Sequence, residues 1–184
     1  LFDGLHSVDG GDIKQMSDFD LVDSETQIGD VTLQAGDLIL ADQGAGAPVV
    51  QLFRATQAGL GTTTGEVSTL LEGSEVGLGS EKIVGLHFVE RDIRKGGMTL
   101  QSGDLLVSTK NDSTIGSNNL SITRNDVARL LVSQTSVNGT AYAVASMAVD
   151  GSDVALDTAQ ESIRALAMVH VGAPPSANDE TYTI

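Results

Sequence analysis

Thr32-Leu33-Gln34-Ala35-Gly36-Asp37-Leu38-Ile39-Leu40 returns 67 residues later as Thr99-Leu100-Gln101-Ser102-Gly103-Asp104-Leu105-Leu106-Val107. The two stretches differ only by one Ala/Ser exchange and two exchanges among aliphatic residues, a match too close for chance. Self-similarity at a long fixed period marks a supersecondary unit used more than once. Within each copy the Gly-Asp pair predicts a bulge or tight bend in mid-hairpin, since glycine in a strand-forming run supplies backbone freedom and no packing.

Outward from this match, a second element occurs three times: Phe2-Asp3-Gly4, Leu71-Glu72-Gly73-Ser74-Glu75-Val76-Gly77-Leu78 and Val149-Asp150-Gly151-Ser152-Asp153-Val154-Ala155-Leu156. Each is followed by an apolar pair three apart: Ile13 and Met16, Ile83 and Leu86, Ile163 and Leu166. The chain therefore divides into a first unit at 2–70, a second at 71–148, a partial third at 149–171 and a tail at 172–184. Strand-length apolar runs lie at 13–22, 31–41, 49–56 and 66–71 in the first unit, and at 83–90, 98–109, 126–132 and 141–149 in the second. Glycine- and asparagine-rich stretches between them supply turns.

Four strands per repeated unit is the count of a β-propeller blade, and two such units also fit one β-sandwich or barrel. The predicted class is all-β with minor short helices. A helical turn is expected at 157–161, where Asp157 can cap and Gln160 follows three residues on. Residues 125–131 fit either period. The third copy stops one strand in, so that strand is expected to pair elsewhere. It would close the sheet beside the first unit or add to another subunit, giving a homo-oligomer through sheet edges.

The 184 residues suit one domain, and 10 Lys+Arg against 25 Asp+Glu leave a net charge of -15. That charge repels a nucleic-acid backbone or an anionic membrane surface and attracts cations and basic partners. No apolar run reaches the roughly 20 residues of a membrane span. Without cysteine there is no disulfide, thiolate nucleophile or Cys-ligated metal. With aromatics at 3% and no Trp, stacking platforms for sugars or bases are scarce. A start at Leu1 fits a mature secreted chain or an excised fragment.

Asp150-Gly151-Ser152-Asp153-Val154-Ala155-Leu156, then Glu161, Ile163 and Ala165-Leu166, together with Gly103-Asp104-Leu105-Leu106-Val107-Ser108-Thr109, resemble repeats of large secreted bacterial surface proteins. Those repeats carry FDGSDVGL-type motifs beside calcium-binding or adhesion modules. The first copy departs from the pattern, with Leu5-His6 in place of the Ser-acid pair and Gly11 where the later Glu falls. The resemblance implies an extracellular or cell-surface β-rich module without established catalytic activity.

Asp150, Asp153 and Glu161, and their counterparts Glu72, Glu75 and Glu81, set carboxylates among Gly-bent carbonyls, a donor set suited to calcium. The same Asp-Gly chemistry also makes a plain turn, and no copy has the dense acid spacing of an EF-hand loop. His6, His87 and His170 sit in unlike contexts, and no Gly-x-Ser-x-Gly elbow accompanies them, so His87 and His170 read as strand residues. Gly59-Leu60-Gly61 and Gly77-Leu78-Gly79 lack the Lys of a phosphate loop and read as turns. The basic run at 91–95 reads as a solvated hairpin loop or as a contact for an acidic face. The expected function is a non-enzymatic structural or adhesive module that self-associates or attaches at a surface. Alternatives are a carbohydrate-binding or hydrolytic propeller-like domain and a viral capsid or decoration protein.

Overall fold

The computed structural model describes residues 6–7, 15–43, 47–59, 62–95 and 97–168. The motif at 2–4, Ile13, the turn at 44–46, Leu60, Gly61, His170 and the tail at 172–184 lie outside the described residues.

The chain is all-β. In the first unit β2 (Met16–Leu21), β5 (Leu38–Asp42), β6 (Val49–Gly59) and β7 (Thr62–Glu72) form an antiparallel sheet in the order β7-β6-β5-β2. Beyond β7, the two-residue β1 (His6–Ser7) adds in parallel. In the second unit β8 (Ile83–Phe88), β11 (Leu105–Thr109), β14 (Val127–Gln134) and β15 (Tyr142–Val149) repeat the four-stranded pattern as β15-β14-β11-β8. Among the described residues neither sheet closes into a barrel or a propeller.

Small hairpins sit between these strands. β3 (Thr26–Ile28) pairs with β4 (Val31–Leu33), β9 (Ile93–Lys95) with β10 (Met98–Leu100), and β12 (Ser113–Ile115) with β13 (Leu120–Ile122). The runs at 31–41 and 98–109 are thus each two strands. Of the bulge or tight bend expected at the Gly-Asp pair the structure shows the bend, a turn that joins strands of different sheets rather than the two arms of a hairpin, with Gly36 at φ 94° and Gly103 at φ 93°, where a side chain is disfavoured. Asp37 Oδ2 accepts the Gln34 N–H at 2.8 Å, and Asp104 Oδ2 accepts that of Gln101 at 2.6 Å. The basic run at 91–95 contributes β9 rather than an open loop. Residues 125–131 resolve as the start of β14, and the turn at 157–161 narrows to a single 3-10 turn, Ala159–Glu161, capped by Thr158 and Glu161 instead of Asp157 and Gln160.

The sheets stack face to face, and alternation along the strands shows which faces meet. Ile39, Ala41 and Leu52 of the first sheet share one buried cluster with Leu86, Leu105, Val107 and Leu130 of the second. Leu38 and Leu40, the counterparts of Leu105 and Val107, lie on the opposite face of their own sheet, in a separate cluster with Phe53 and Val67. Likewise Leu106, the counterpart of Ile39, turns away from the first unit and packs with Val127 against Ile163, Leu166 and Met168. The units therefore pack head to tail, the trailing face of one on the leading face of the next.

Asp30, in the β3–β4 turn, fastens the two units together. It accepts the N–H and the Oγ1–H of Thr135, both at 2.8 Å, and the Asn138 Nδ2–H at 2.8 Å. These donors hold its pKa down to about 2 from an ordinary 3.8, the Asn138 bond first among the causes. A depressed carboxylate contributes stability above its unfolded pKa and loses it as the pH falls through its folded value. Acid unfolding should therefore show Asp30→Asn less stable than wild type at pH 5 to 7. The difference should shrink between about pH 4 and pH 2.

Candidate functional site

The seam between the units is built by two edge strands. β2 lies beside β8, whose outward N–H groups have no partner strand, a position that invites unwanted pairing. Asp18 Oδ2 accepts the Leu86 N–H at 2.7 Å and Asp20 Oδ2 accepts the Phe88 N–H at 2.7 Å, while Ser17 Oγ donates to the Ile83 carbonyl at 2.7 Å. His87 Nδ1 lies 2.7 Å from the same Asp20 oxygen. The ring is buried and its Nε2 has no partner among the described residues. The alternation Ser17-Asp18-Phe19-Asp20-Leu21 thus sends polar groups to the next unit and apolar ones the other way.

A second seam repeats the first on the trailing face of the second unit, where 162–168 lies against β8. Ser108 Oγ donates to the Ile163 carbonyl at 3.2 Å; it sits on β11, whereas Ser17, which meets the Ile83 carbonyl, sits on the edge strand β2. A Cβ built on Gly85 would come 3.0 Å from Leu166 Cγ.

The six acids read as candidate metal ligands are placed apart. Glu75 Oε2 accepts the Ser136 hydroxyl at 2.7 Å and the Ala141 N–H at 2.9 Å, and Glu81 Oε1 accepts the Asn111 N–H at 2.9 Å. Asp150 Oδ1 takes the N–H and hydroxyl of Ser152, which lower its pKa, and Glu161 Oε2 takes those of Thr158 with the same effect. Asp153 is exposed, and Glu72 closes β7 with its N–H donated to Ser136 Oγ at 3.0 Å. Among the described residues no three His, Cys, Asp or Glu side chains converge in a way that could hold a metal ion. A hard cation such as calcium needs six to eight oxygens, and here oxygens of Glu75, Glu81, Asp150 and Glu161 accept from neighbouring donors. Calorimetry with millimolar calcium tests the cation reading: it expects a rise in melting temperature that Asp150→Ala removes, and an unchanged melting temperature would count against it.

Asp112, Arg124, Asn125, Asp150 and Asp157 line a surface cavity of about 570 Å³. Asn125 Nδ2 donates to the carbonyls of Leu156 at 2.6 Å and Thr158 at 3.2 Å, bracing the link between a 3-10 turn at Gly151–Val154 and the one at Ala159–Glu161. The cavity contains neither His87 nor an aromatic side chain.

One residue of this architecture is hidden in the sequence. Asp126 Oδ2 accepts the Thr123 N–H at 2.7 Å, which makes 123–126 a third copy of the turn at 34–37 and 101–104. Only the Asp and its apolar flanks, Ile122 and Val127, repeat, so the signal is a spacing and not a string of letters.

Comparison with protein families, with curated proteins and with solved structures finds no match to this chain.

Proposed function

We propose that this chain is a structural β module that works by assembly, each four-stranded sheet serving as one blade-like unit of a head-to-tail stack. The observation that carries the reading is a contrast between equivalent side chains. Ile83, Leu86 and Phe88 of β8 are 1%, 0% and 3% exposed beneath the trailing face of the first unit. By strand register Phe19, opposite Leu40, matches Leu86, opposite Val107. This sets Met16 against Ile83, whereas the apolar pairs of the sequence suggest Leu86. These counterparts in β2, Met16, Phe19 and Leu21, are 50%, 51% and 50% exposed. The same kind of strand is covered in one unit and half-exposed in the other, while Leu38, Leu40 and Phe53 on the same face of the first sheet are already buried, so the patch left for a neighbour is the β2 edge.

Half-burial forgoes roughly 1 kcal/mol per side chain relative to full burial, so the association is weak. The extracellular setting rests on the resemblance to secreted surface repeats, and the charge of -15 favours solubility between contacts. Sedimentation of the wild-type chain up to about 1 mM, the affinity range of weak contacts, is expected to show a mass that rises reversibly with concentration. A mass fixed at that of one chain would overturn the reading.

A further inference from the structure

We infer that the trailing face of the second unit is an acceptor for the first unit of another copy of this chain, and that residues 162–168 occupy this acceptor in cis and hold assembly in check. The inference rests on the self-association proposed above and names both its partner and its control.

Three segments are equivalent in sequence, and the last two also in place: Met16, Phe19 and Leu21; Ile83, Leu86 and Phe88; Ile163, Leu166 and Met168. β8 lies on the trailing face of the first unit, and 162–168 lies on the trailing face of the second, its Ile163 carbonyl met by a serine hydroxyl as that of Ile83 is. β2 is the third member of the set, and among the described residues its apolar side chains have no such face to lie on; they are half-exposed.

Residues 162–168 fill their place less completely than β8 fills its own. Ile163, Leu166 and Met168 are only partly buried. The carboxylates that hold β8, Asp18 and Asp20, are replaced on the second unit by Gly85 and His87. Val154 is 57% exposed where its counterpart Val76 is 1% exposed. β8 also arrives paired to β11, whereas 162–168 has no strand partner among the described residues. An incoming β2 would arrive paired to β5, as β8 arrives paired to β11, and would bring the half-exposed Met16, Phe19 and Leu21 to the face that 162–168 covers incompletely. Head-to-tail contacts of this kind use two different surfaces and do not close on themselves in pairs, so growth is open-ended unless a ring forms.

Sedimentation equilibrium on the full chain, with folding checked by circular dichroism, separates the possibilities. F19D/L21D, which spoils the donor strand and keeps the acceptor, should be monomeric. Added in excess to wild type, it should also shorten the assemblies by capping one end, which a symmetric donor-to-donor dimer would not allow. I163D/L166D should loosen the resident segment and tighten association at least tenfold, with I163A/L166A as the milder variant should the carboxylates unfold the chain. Tail variants that associate no more tightly than wild type overturn the inference. If F19D/L21D associates as wild type does, the inference falls while self-association stands, through another surface. A chain monomeric in every form removes both.

Discussion

Asp104→Ala is expected to cost about 3–5 kcal/mol of folding stability, the range for breaking a buried charge pair from one side. Asp104 is fully buried; its Oδ2 lies 2.5 Å from Arg129 Nε and accepts the Gln101 N–H at 2.6 Å. The arginine contact is an ion pair rather than a directed hydrogen bond, since Nε has no partner in line with its N–H. Truncation leaves a cation with 20% side-chain exposure and an orphaned backbone donor together, and each is costly in low dielectric. Against a total of roughly 5–15 kcal/mol, the midpoint of urea unfolding should fall by about a fifth or more. Asp37→Ala removes the equivalent carboxylate of the first unit, but its partner Arg54 is 36% exposed and can turn to water. That variant should lose only about 1–3 kcal/mol. The strand register puts Arg129 where the first sheet has Leu52, so Asp104→Ala/Arg129→Leu should recover part of the loss. Equal costs for Asp104→Ala and Asp37→Ala would show that burial of the cation is not what matters.

The all-β class and the repeat were legible because strand-forming letters recur at a fixed offset, as Thr32 to Leu40 recurs at Thr99 to Val107. The small hairpins were not, because strands of three residues such as Thr26–Ile28 are too short to show a period, and their turns merge with neighbouring runs. The direction of stacking was hidden for another reason. β5 and β11 are buried along their whole length, so Leu38-Ile39-Leu40 and Leu105-Leu106-Val107 carry no alternation to mark which face meets which partner. The surroundings of the acid loops were hidden as well. Glu75 and Glu81 are near each other in the chain, but their oxygens belong to Ala141 and Asn111, contacts that only the fold creates. Asp18 and Asp20 were read as part of a strand, and their role on β8 follows from the two edge strands lying side by side.

The acid-Gly motif repeats for a reason that substitution can expose. Gly73 donates its N–H to the Pro48 carbonyl at 2.8 Å, and a Cβ there would lie 2.6 Å from that oxygen and 2.8 Å from the proline Cγ. Gly151 donates to Asp126 Oδ1 at 2.8 Å, and its Cβ would meet the Asn125 carbonyl oxygen and lie 2.7 Å from the Asn125 Cβ. Neither glycine has a positive φ, so the demand is for space rather than for backbone conformation. In both units the chain leaving the last strand crosses the entry to the third strand at this point, and only a hydrogen fits. Gly73→Ala and Gly151→Ala should each cost about 1–3 kcal/mol, because the obstacles are backbone or backbone-anchored atoms that cannot swing away. The sites share no partners, so the double variant should lose close to the sum of the two. Gly36→Ala makes the contrast: its surroundings are open and only φ 94° opposes a side chain, a cost of about 1–2 kcal/mol from conformation alone. If the motif existed to bind a cation, calcium would rescue the Gly151→Ala variant. A packing corner predicts the same loss with and without calcium, and alanine tolerated at both corners would remove the packing account.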